Sequence, residues 1–419
     1  MQKPKVLKPF NRTEIKVLLL EDVNQTAIDA FQEQGYQVET FTKTFVGQEL
    51  IDKVRDVQIL GIRSKTKVTE EVLNEAKDLL AIGCFCIATE QVDLKAAATR
   101  GIAVYNSPFK NSHSVAELVI GEVISLARQL GDRNREMHKG IWNKVSKGCF
   151  EIRGKILGIV GYGHVGSQLS VLAEALGMRV YFYDLLQLMP LGSARQLDTL
   201  EELLAVSDFV TLHVPEQDDT KGMIGVREIS LMKPGSFVIN NGRGSTIQLQ
   251  ALVDGLRSGH LAGAALDVYP KQPTSNGPHF TDYPDLLDCP NVILTPHVAG
   301  ATEEAQENIG LEVSSSLIQF VNDGISLGAV NFPQVGLRAI REDDAHTARV
   351  LHVHQNIPGV LRELNKIFTG LNVERQYSNS KGAVAYVMAD VANVSAVELQ
   401  ALYDAISATS ANIRTRIMH

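Results

Sequence analysis

The sequence predicts an α/β protein with two parallel-sheet domains, Rossmann-like and flavodoxin-like, and a C-terminal ferredoxin-like βαββαβ module. Three observations carry this prediction. Apolar, β-branched runs alternate with segments of helical periodicity from residue 16 to residue 295. One run, Lys155-Ile-Leu-Gly-Ile-Val160, ends on Gly161-Tyr-Gly-His-Val-Gly166. After about residue 345 the order changes to strand, helix, two strands, helix, strand.

The central run comes first because the rest is organised around it. It reads as a buried parallel strand, and G-x-G-x-x-G follows at its carboxyl end. Gly161 permits the tight turn, Gly163 lets backbone approach a pyrophosphate, and Gly166 lets helix and strand pack closely. His164 and Val165 open the helix, whose free N–H groups and positive dipole end face the phosphates. A second strand then ends on Asp184, 18 residues past Gly166. Its carboxylate can accept bonds from both ribose hydroxyls and would repel a 2′-phosphate, which favours NAD over NADP.

Before this fingerprint, strands are expected at 16–20, 35–41, 57–62, 79–87 and 102–105, with helices at 25–34, 69–76 and 93–99. This first domain has no phosphate-binding glycine turn, so it is a candidate for the substrate side. A long helix at 113–129 connects the two domains, and a loop with Trp142, the only tryptophan, leads on to the fingerprint. After it, strands are expected at 209–214, 237–240, 262–268 and 291–295, with helices at 199–202 onward and 248–259. Arg243, Asp267 and His297 all follow strand ends, where ligands of open α/β sheets sit. A helix at 302–321 returns to the first domain, and 322–341 reads as a linker. The boundaries are therefore 1–110 with 300–335 for the substrate side, 111–299 for the dinucleotide domain and 345–419 for the last module. That module's polar sheet edge suits pairing with a second copy.

Net charge is −8, which argues against nucleic acid as the main partner. No run of 18 apolar residues is present, and Met1-Gln-Lys-Pro-Lys-Val6 is not a secretory signal, so a cytoplasmic protein is expected. Cys84 and Cys86 lie in an apolar strand-like run and lack further ligands; reduced thiols are expected, and no metal site.

Several stretches now resemble a known family. The fingerprint with Asp184, the 240–245 turn, Ala265-Leu-Asp-Val-Tyr-Pro270 and Thr295-Pro-His-Val-Ala-Gly300 are similar to the D-isomer-specific 2-hydroxyacid dehydrogenases. Gly83-Cys-Phe-Cys-Ile87, Gln91-Val-Asp93, Trp142-Asn-Lys144 and Gln306-Glu-Asn-Ile-Gly-Leu-Glu-Val313 resemble the branch that acts on 3-phosphoglycerate and ends in an ACT domain. The resemblance covers nearly the whole chain. It implies NAD-dependent oxidation of 3-phospho-D-glycerate to 3-phosphohydroxypyruvate, the first step of serine synthesis, in a homotetramer inhibited by L-serine.

The resemblance also implies roles. His297 is the acid/base, suited by a pKa near neutral for its residue type. Arg243 binds the substrate carboxylate and polarises the 2-oxygen. Asp267 holds the nicotinamide amide, and Asn241, Gly242, Val298, Ala299 and Gly300 flank the cofactor. Arg63, Ser64 and Lys65 approach the substrate phosphate, with Ala88 and Thr89 near its carboxylate. Trp142 and Lys144 resemble residues given to a neighbouring subunit's site; simple packing is the alternative for Trp142. His354, Asn356 and Asn372 match positions that bind serine across an ACT pair.

The chain departs from the family at Gln272, where glutamate is usual, and at Ala88, Glu90 and Asn241-Gly242. A neutral amide can orient the His297 ring but supplies no charge to its protonated form, which predicts a slower or pH-shifted reaction. Two other readings follow: a reductase of 2-oxoglutarate or another 2-oxo acid on the same fold, or a weakly catalytic protein that binds serine and NAD.

Overall fold

The computed structural model describes residues 7, 9–273, 276–278, 280–339 and 346–419. The opening hexapeptide, part of the 322–341 linker and the first residue of the last module lie outside the described residues. The chain divides into two compact units, 1–108 with 306–419, and 109–305.

The first unit begins with β1 (Lys16–Leu19), α1 (Gln25–Glu33), β2 (Gln37–Thr40), α2 (Gln48–Val54), β3 (Ile59–Ile62), α3 (Glu70–Glu75), β4 (Ala81–Cys84), α4 (Leu94–Thr99) and β5 (Ala103–Asn106). The five strands form a parallel sheet in the order β2-β1-β3-β4-β5. Alternation sorts their side chains. Val17, Leu19, Ile59 and Ala103 face one core, and Leu18, Leu60, Ile82 and Val104 face the other. α2 is not predicted by the sequence, because seven residues with Leu50, Ile51 and Val54 buried are too short to show a helical period. The strand expected at 79–87 stops at Cys84.

The second unit carries α5 (Ser112–Ala127), α6 (Leu130–His138), β6 (Ile156–Val160), α7 (His164–Ala175), β7 (Arg179–Tyr183), β8 (Arg195–Gln196), α8 (Leu200–Val206), β9 (Phe209–Leu212), α9 (Val226–Leu231), β10 (Ser236–Asn240), α10 (Leu249–Arg257), β11 (Leu261–Leu266), α11 (Pro284–Leu287) and β12 (Val292–Leu294). Its parallel sheet runs β12-β11-β10-β9-β6-β7-β8. The strand order reverses at β6, where a crevice opens at the carboxyl ends. The helix expected at 113–129 ends at Ala127. Gln129 then takes a left-handed backbone, φ 50°, and α6 follows. None of the α6 side chains is buried, so no apolar stripe announces it.

α12 (Glu303–Asp323) leads into β13 (Thr347–Gln355), α13 (Val360–Ile367), β14 (Asn372–Lys381), β15 (Val384–Ala392), α14 (Ala396–Ser407) and β16 (Asn412–Met418). This is the βαββαβ plan, in an antiparallel sheet ordered β14-β15-β13-β16. Ser395 and Glu398 form a capping box at the start of α14.

The module is not a bead on a linker. One face of its sheet packs on its own helices. Leu351, Val353, Tyr386 and Met388 on the other face share a core with Phe320 of α12, Phe332 and the first sheet. α12 in turn lies close over β4, where a Cβ on Gly83 would fall 2.7 Å from both Val313 and Leu317. Arginines fasten the packing to main-chain oxygens. Arg414 donates to Leu79 O and Lys77 O, and Arg416 donates to Val321 O at 2.6 Å. Arg349 donates to Asp323 O at 3.0 Å and pairs through both edges with Asp390, at 2.7 and 2.9 Å, with both side chains fully buried.

Removing one member of such a buried pair leaves the other charge unpaired. Asp390→Ala should therefore lower stability by about 3–5 kcal/mol, read as a fall in the denaturant midpoint.

Candidate active site

The glycine turn after β6 shows which of its glycines the fold itself requires. Gly161 has φ 90°, and a Cβ there would sit 2.7 Å from His213 O. A Cβ on Gly166 would sit 2.3 Å from Gly161 O. Gly161 must lack a side chain for the turn to pass the chain after β9, and Gly166 for α7 to approach β6. At Gly163 a Cβ would meet nothing within 4 Å. The described residues make no steric demand there, and the space beside Gly163 is open. That pattern fits a dinucleotide pyrophosphate set on the N-terminus of α7.

Asp184 stands where the sequence places it, just past β7. Its Oδ2 accepts from Tyr162 N at 2.8 Å and Oδ1 from Leu186 N at 3.0 Å, so the carboxylate also fixes the glycine turn. His164 stacks on Phe109, with centroids 3.6 Å apart, and Val165 follows it in the first turn of α7.

The next strand ends bring in the other groups. After β10, Asn240 Nδ2 donates to Arg243 O at 2.9 Å and to Thr246 Oγ1 at 3.1 Å, while Gly242 N donates to Asn240 Oδ1. This shapes the 240–243 turn. Arg243 is half-buried and spends one N–H on Gly242 O. Among the described residues its remaining N–H groups meet no acceptor, which leaves a fork for an anion.

Asp267 follows β11 and is fully buried. Sequence reasoning assigns it to the nicotinamide. Among the described residues its carboxylate bonds only the loop after β12: Oδ1 accepts Thr295 Oγ1 at 2.6 Å and Val298 N at 2.8 Å, and Oδ2 accepts Ala299 N at 2.9 Å. Gly300 closes the loop; a Cβ there would fall 2.3 Å from Asn111 Nδ2.

Within that loop His297 takes a left-handed backbone, φ 56°, and its ring is exposed. Nδ1 lies 2.9 Å from Gln272 Oε1. Gln272 Nε2 donates to Tyr269 O at 3.3 Å, so the amide oxygen is the atom turned to the ring. An oxygen can only accept, hence Nδ1 carries the proton and Nε2 keeps its lone pair. Orientation of the ring by Gln272 was legible in the sequence.

Sequence reasoning missed Glu122. It lies in the buried stripe of α5, where Asn241 Nδ2 donates to its Oε2 at 2.8 Å. The signal was available: an acid at an apolar position of a helix. The amide of Asn241 therefore points to α5, although the residue sits in the turn assigned to the cofactor.

In the first unit, Arg63 donates from Nη2 to Gln306 Oε1 at 3.0 Å, and the exposed Ser64 and Lys65 follow it. Glu21 holds this loop, accepting Lys65 N at 2.9 Å and Thr66 N at 2.7 Å. Ala88 O accepts Gln91 Nε2 at 3.1 Å. Trp142, in the second unit, is 78% exposed, so packing within its own chain does not explain it. Cys84 and Cys86 are free thiols.

In the last module His352 and His354 are buried and stacked, with centroids 5.2 Å apart. Burial holds both rings below the ordinary histidine range, His352 at about 3. His354 Nδ1 lies 2.8 Å from Gln355 O, which leaves Nε2 without a partner among the described residues. Asn356 Nδ2 donates to Gly382 O at 3.0 Å, and Asn372 opens β14.

The glycines make a separable prediction. Gly163→Ala should leave the melting temperature unchanged yet weaken NAD binding by about tenfold or more in a calorimetric titration, since one lost tenfold is only about 1.4 kcal/mol. Gly161→Ala should lower the melting temperature as well, because its φ and the nearby His213 O both oppose a side chain.

Residues 120–299 match the family described as D-isomer specific 2-hydroxyacid dehydrogenase, NAD binding domain. The chain is 53% identical over 422 residues to D-3-phosphoglycerate dehydrogenase 1 of Saccharomyces cerevisiae, covering 99% of this chain and 90% of that protein. It is 49% identical over 414 residues to D-3-phosphoglycerate dehydrogenase of Escherichia coli K12, covering 98% and 99%. The solved structure of D-2-hydroxyisocaproate dehydrogenase is similar at a TM-score of 0.67 and 25% identity, over 74% of this chain and 98% of that one. The chain belongs to the D-3-phosphoglycerate dehydrogenases, NAD-dependent oxidoreductases of the D-isomer specific 2-hydroxyacid dehydrogenase family.

Proposed function

We propose that the chain oxidises 3-phospho-D-glycerate to 3-phosphohydroxypyruvate, and that L-serine binds its last module and inhibits it. The observation that carries the catalytic reading is the His297–Gln272 bond, which presents Nε2 as a base. A bound NAD would supply the acceptor for the hydride from C2. His297 Nε2 takes the proton of the 2-hydroxyl, so a 2-oxo acid remains. The oxygen of Gln272 holds Nδ1–H throughout, in the neutral ring and in the imidazolium. Arg243 grips the carboxylate and draws charge from the 2-oxygen as it becomes a carbonyl. Arg63, with Ser64 and Lys65, is the proposed phosphate ligand. Asp267 positions His297 through the loop it bonds.

The effector reading rests on His354, Asn356 and Asn372. The asparagine amides supply groups for an amino acid's polar ends, and the N-terminus of α13 supplies N–H groups for its carboxylate. The open edge of β14 is a surface for a second copy, in keeping with a homotetramer. Among the described residues no helix is long and apolar enough to cross a membrane.

Gln272→Glu places a carboxylate against Nδ1–H and favours the imidazolium. Oxidation should speed up, by as much as ~10²-fold on the analogy of a triad carboxylate, and the acid limb of kcat/KM should move to higher pH. A variant no faster than the parent at any pH overturns this reading of Gln272. Serine titrated into the full-length protein should give a saturable heat and slow NADH formation, and Asn356→Ala should abolish both.

A further inference from the structure

Glu122 is 3% exposed and sits between Val119, Val123 and Leu126 on the buried side of α5. Asn241 satisfies its Oε2. Two buried oxygens remain, Glu122 Oε1 and Asn241 Oδ1, and neither has a partner among the described residues. Two acceptors cannot satisfy one another. A proton kept on the carboxyl turns one of them into a donor. An ionised Glu122 would instead be a charge in apolar surroundings, repelled by Asp267, with no cation among the described residues acting on it.

We propose that Glu122 works as a neutral carboxylic acid, a positioning residue that clamps Asn241 and through it the turn carrying Arg243. The clamp rests on the proposed function only in giving Arg243 the substrate carboxylate. The link is short: Asn241 and Arg243 are two residues apart, in a turn whose other anchors are Asn240 and Thr246.

The electrostatics agree. Burial pushes the Glu122 carboxyl up, the Asn241 bond opposes the rise, and Asp267 adds to it, for a value of about 8. Tyr269 is the other titratable group coupled to it; among the described residues none from α6 or α7 acts on it. The unfolded carboxyl ionises near its ordinary 4.5, so the folded chain holds the extra proton between that value and about 8. This group's contribution to stability is therefore lost as pH rises across that window, and above it the turn faces two carboxylates.

Three measurements test the clamp. Infrared spectra of the NAD-free protein at neutral pH should show the carbonyl stretch of a protonated carboxylic acid, and Glu122→Gln should remove it. Glu122→Gln keeps a neutral donor, so kcat/KM at pH 7 should stay within about twofold of the parent while the fall at alkaline pH flattens. Asn241→Ala should raise KM for 3-phosphoglycerate by about tenfold, as loss of one buried hydrogen bond to the turn implies. A parent spectrum without the band, or a Glu122→Gln variant tenfold or more down at pH 7, overturns the proposal. So does an Asn241→Ala variant with unchanged KM. The infrared band is read without substrate, so its failure is distinct from failure of the role given to Arg243, which KM of Arg243→Ala reads.

Discussion

Asp267 and the three donors around it set the active loop. A fully buried carboxylate is costly unless it is hydrogen-bonded, and here Thr295, Val298 and Ala299 supply the bonds. Bonds to a charged group contribute about 1.5–3 kcal/mol each. A left-handed backbone at a non-glycine residue costs about 1–3 kcal/mol. The bonds therefore outweigh the strain at His297 and hold it in the one loop shape that brings Nδ1 to Gln272. The position of the His297 ring thus depends on a buried carboxylate that does not contact it directly.

The parallel sheet does the gathering. All strands of the second unit point their carboxyl ends the same way, so Gly161, Asp184, Asn241, Asp267 and Thr295 collect along one edge from distant places in the sequence. Short turns at those ends leave little freedom. The Asn240 side chain closes one turn and the Asp267 carboxylate another, and both are buried. Buried polar groups of this kind rigidify the frame because every movement would cost a hydrogen bond.

Much of this was legible in the chain. Strands buried on both faces read as apolar runs, and a glycine fingerprint between strand and helix has few other meanings. Arg243 and His297 could be named because they follow strand ends, and Gln272 only because its stretch resembles a known family; the structure adds the bond between Gln272 and His297. Elements without a hydrophobic signal were not: α6 buries nothing, and α2 spans too few residues for a period to emerge. Glu122 could be placed on the apolar stripe of α5 from spacing alone, but its partner, Asn241 after β10, could not. Such contacts are set by tertiary structure, and no spacing along the helix records what stands opposite.

The shared core beneath the last module constrains how this chain can be divided. Leu351, Val353, Tyr386 and Met388 are interior residues of the first unit rather than a patch on a tethered regulator. Cutting the chain ahead of β13 would bare Phe320 and Phe332 to water and strand carbonyls of α12 that Arg349 and Arg416 now cover. A shortened form would carry that apolar surface exposed, which favours association with other chains.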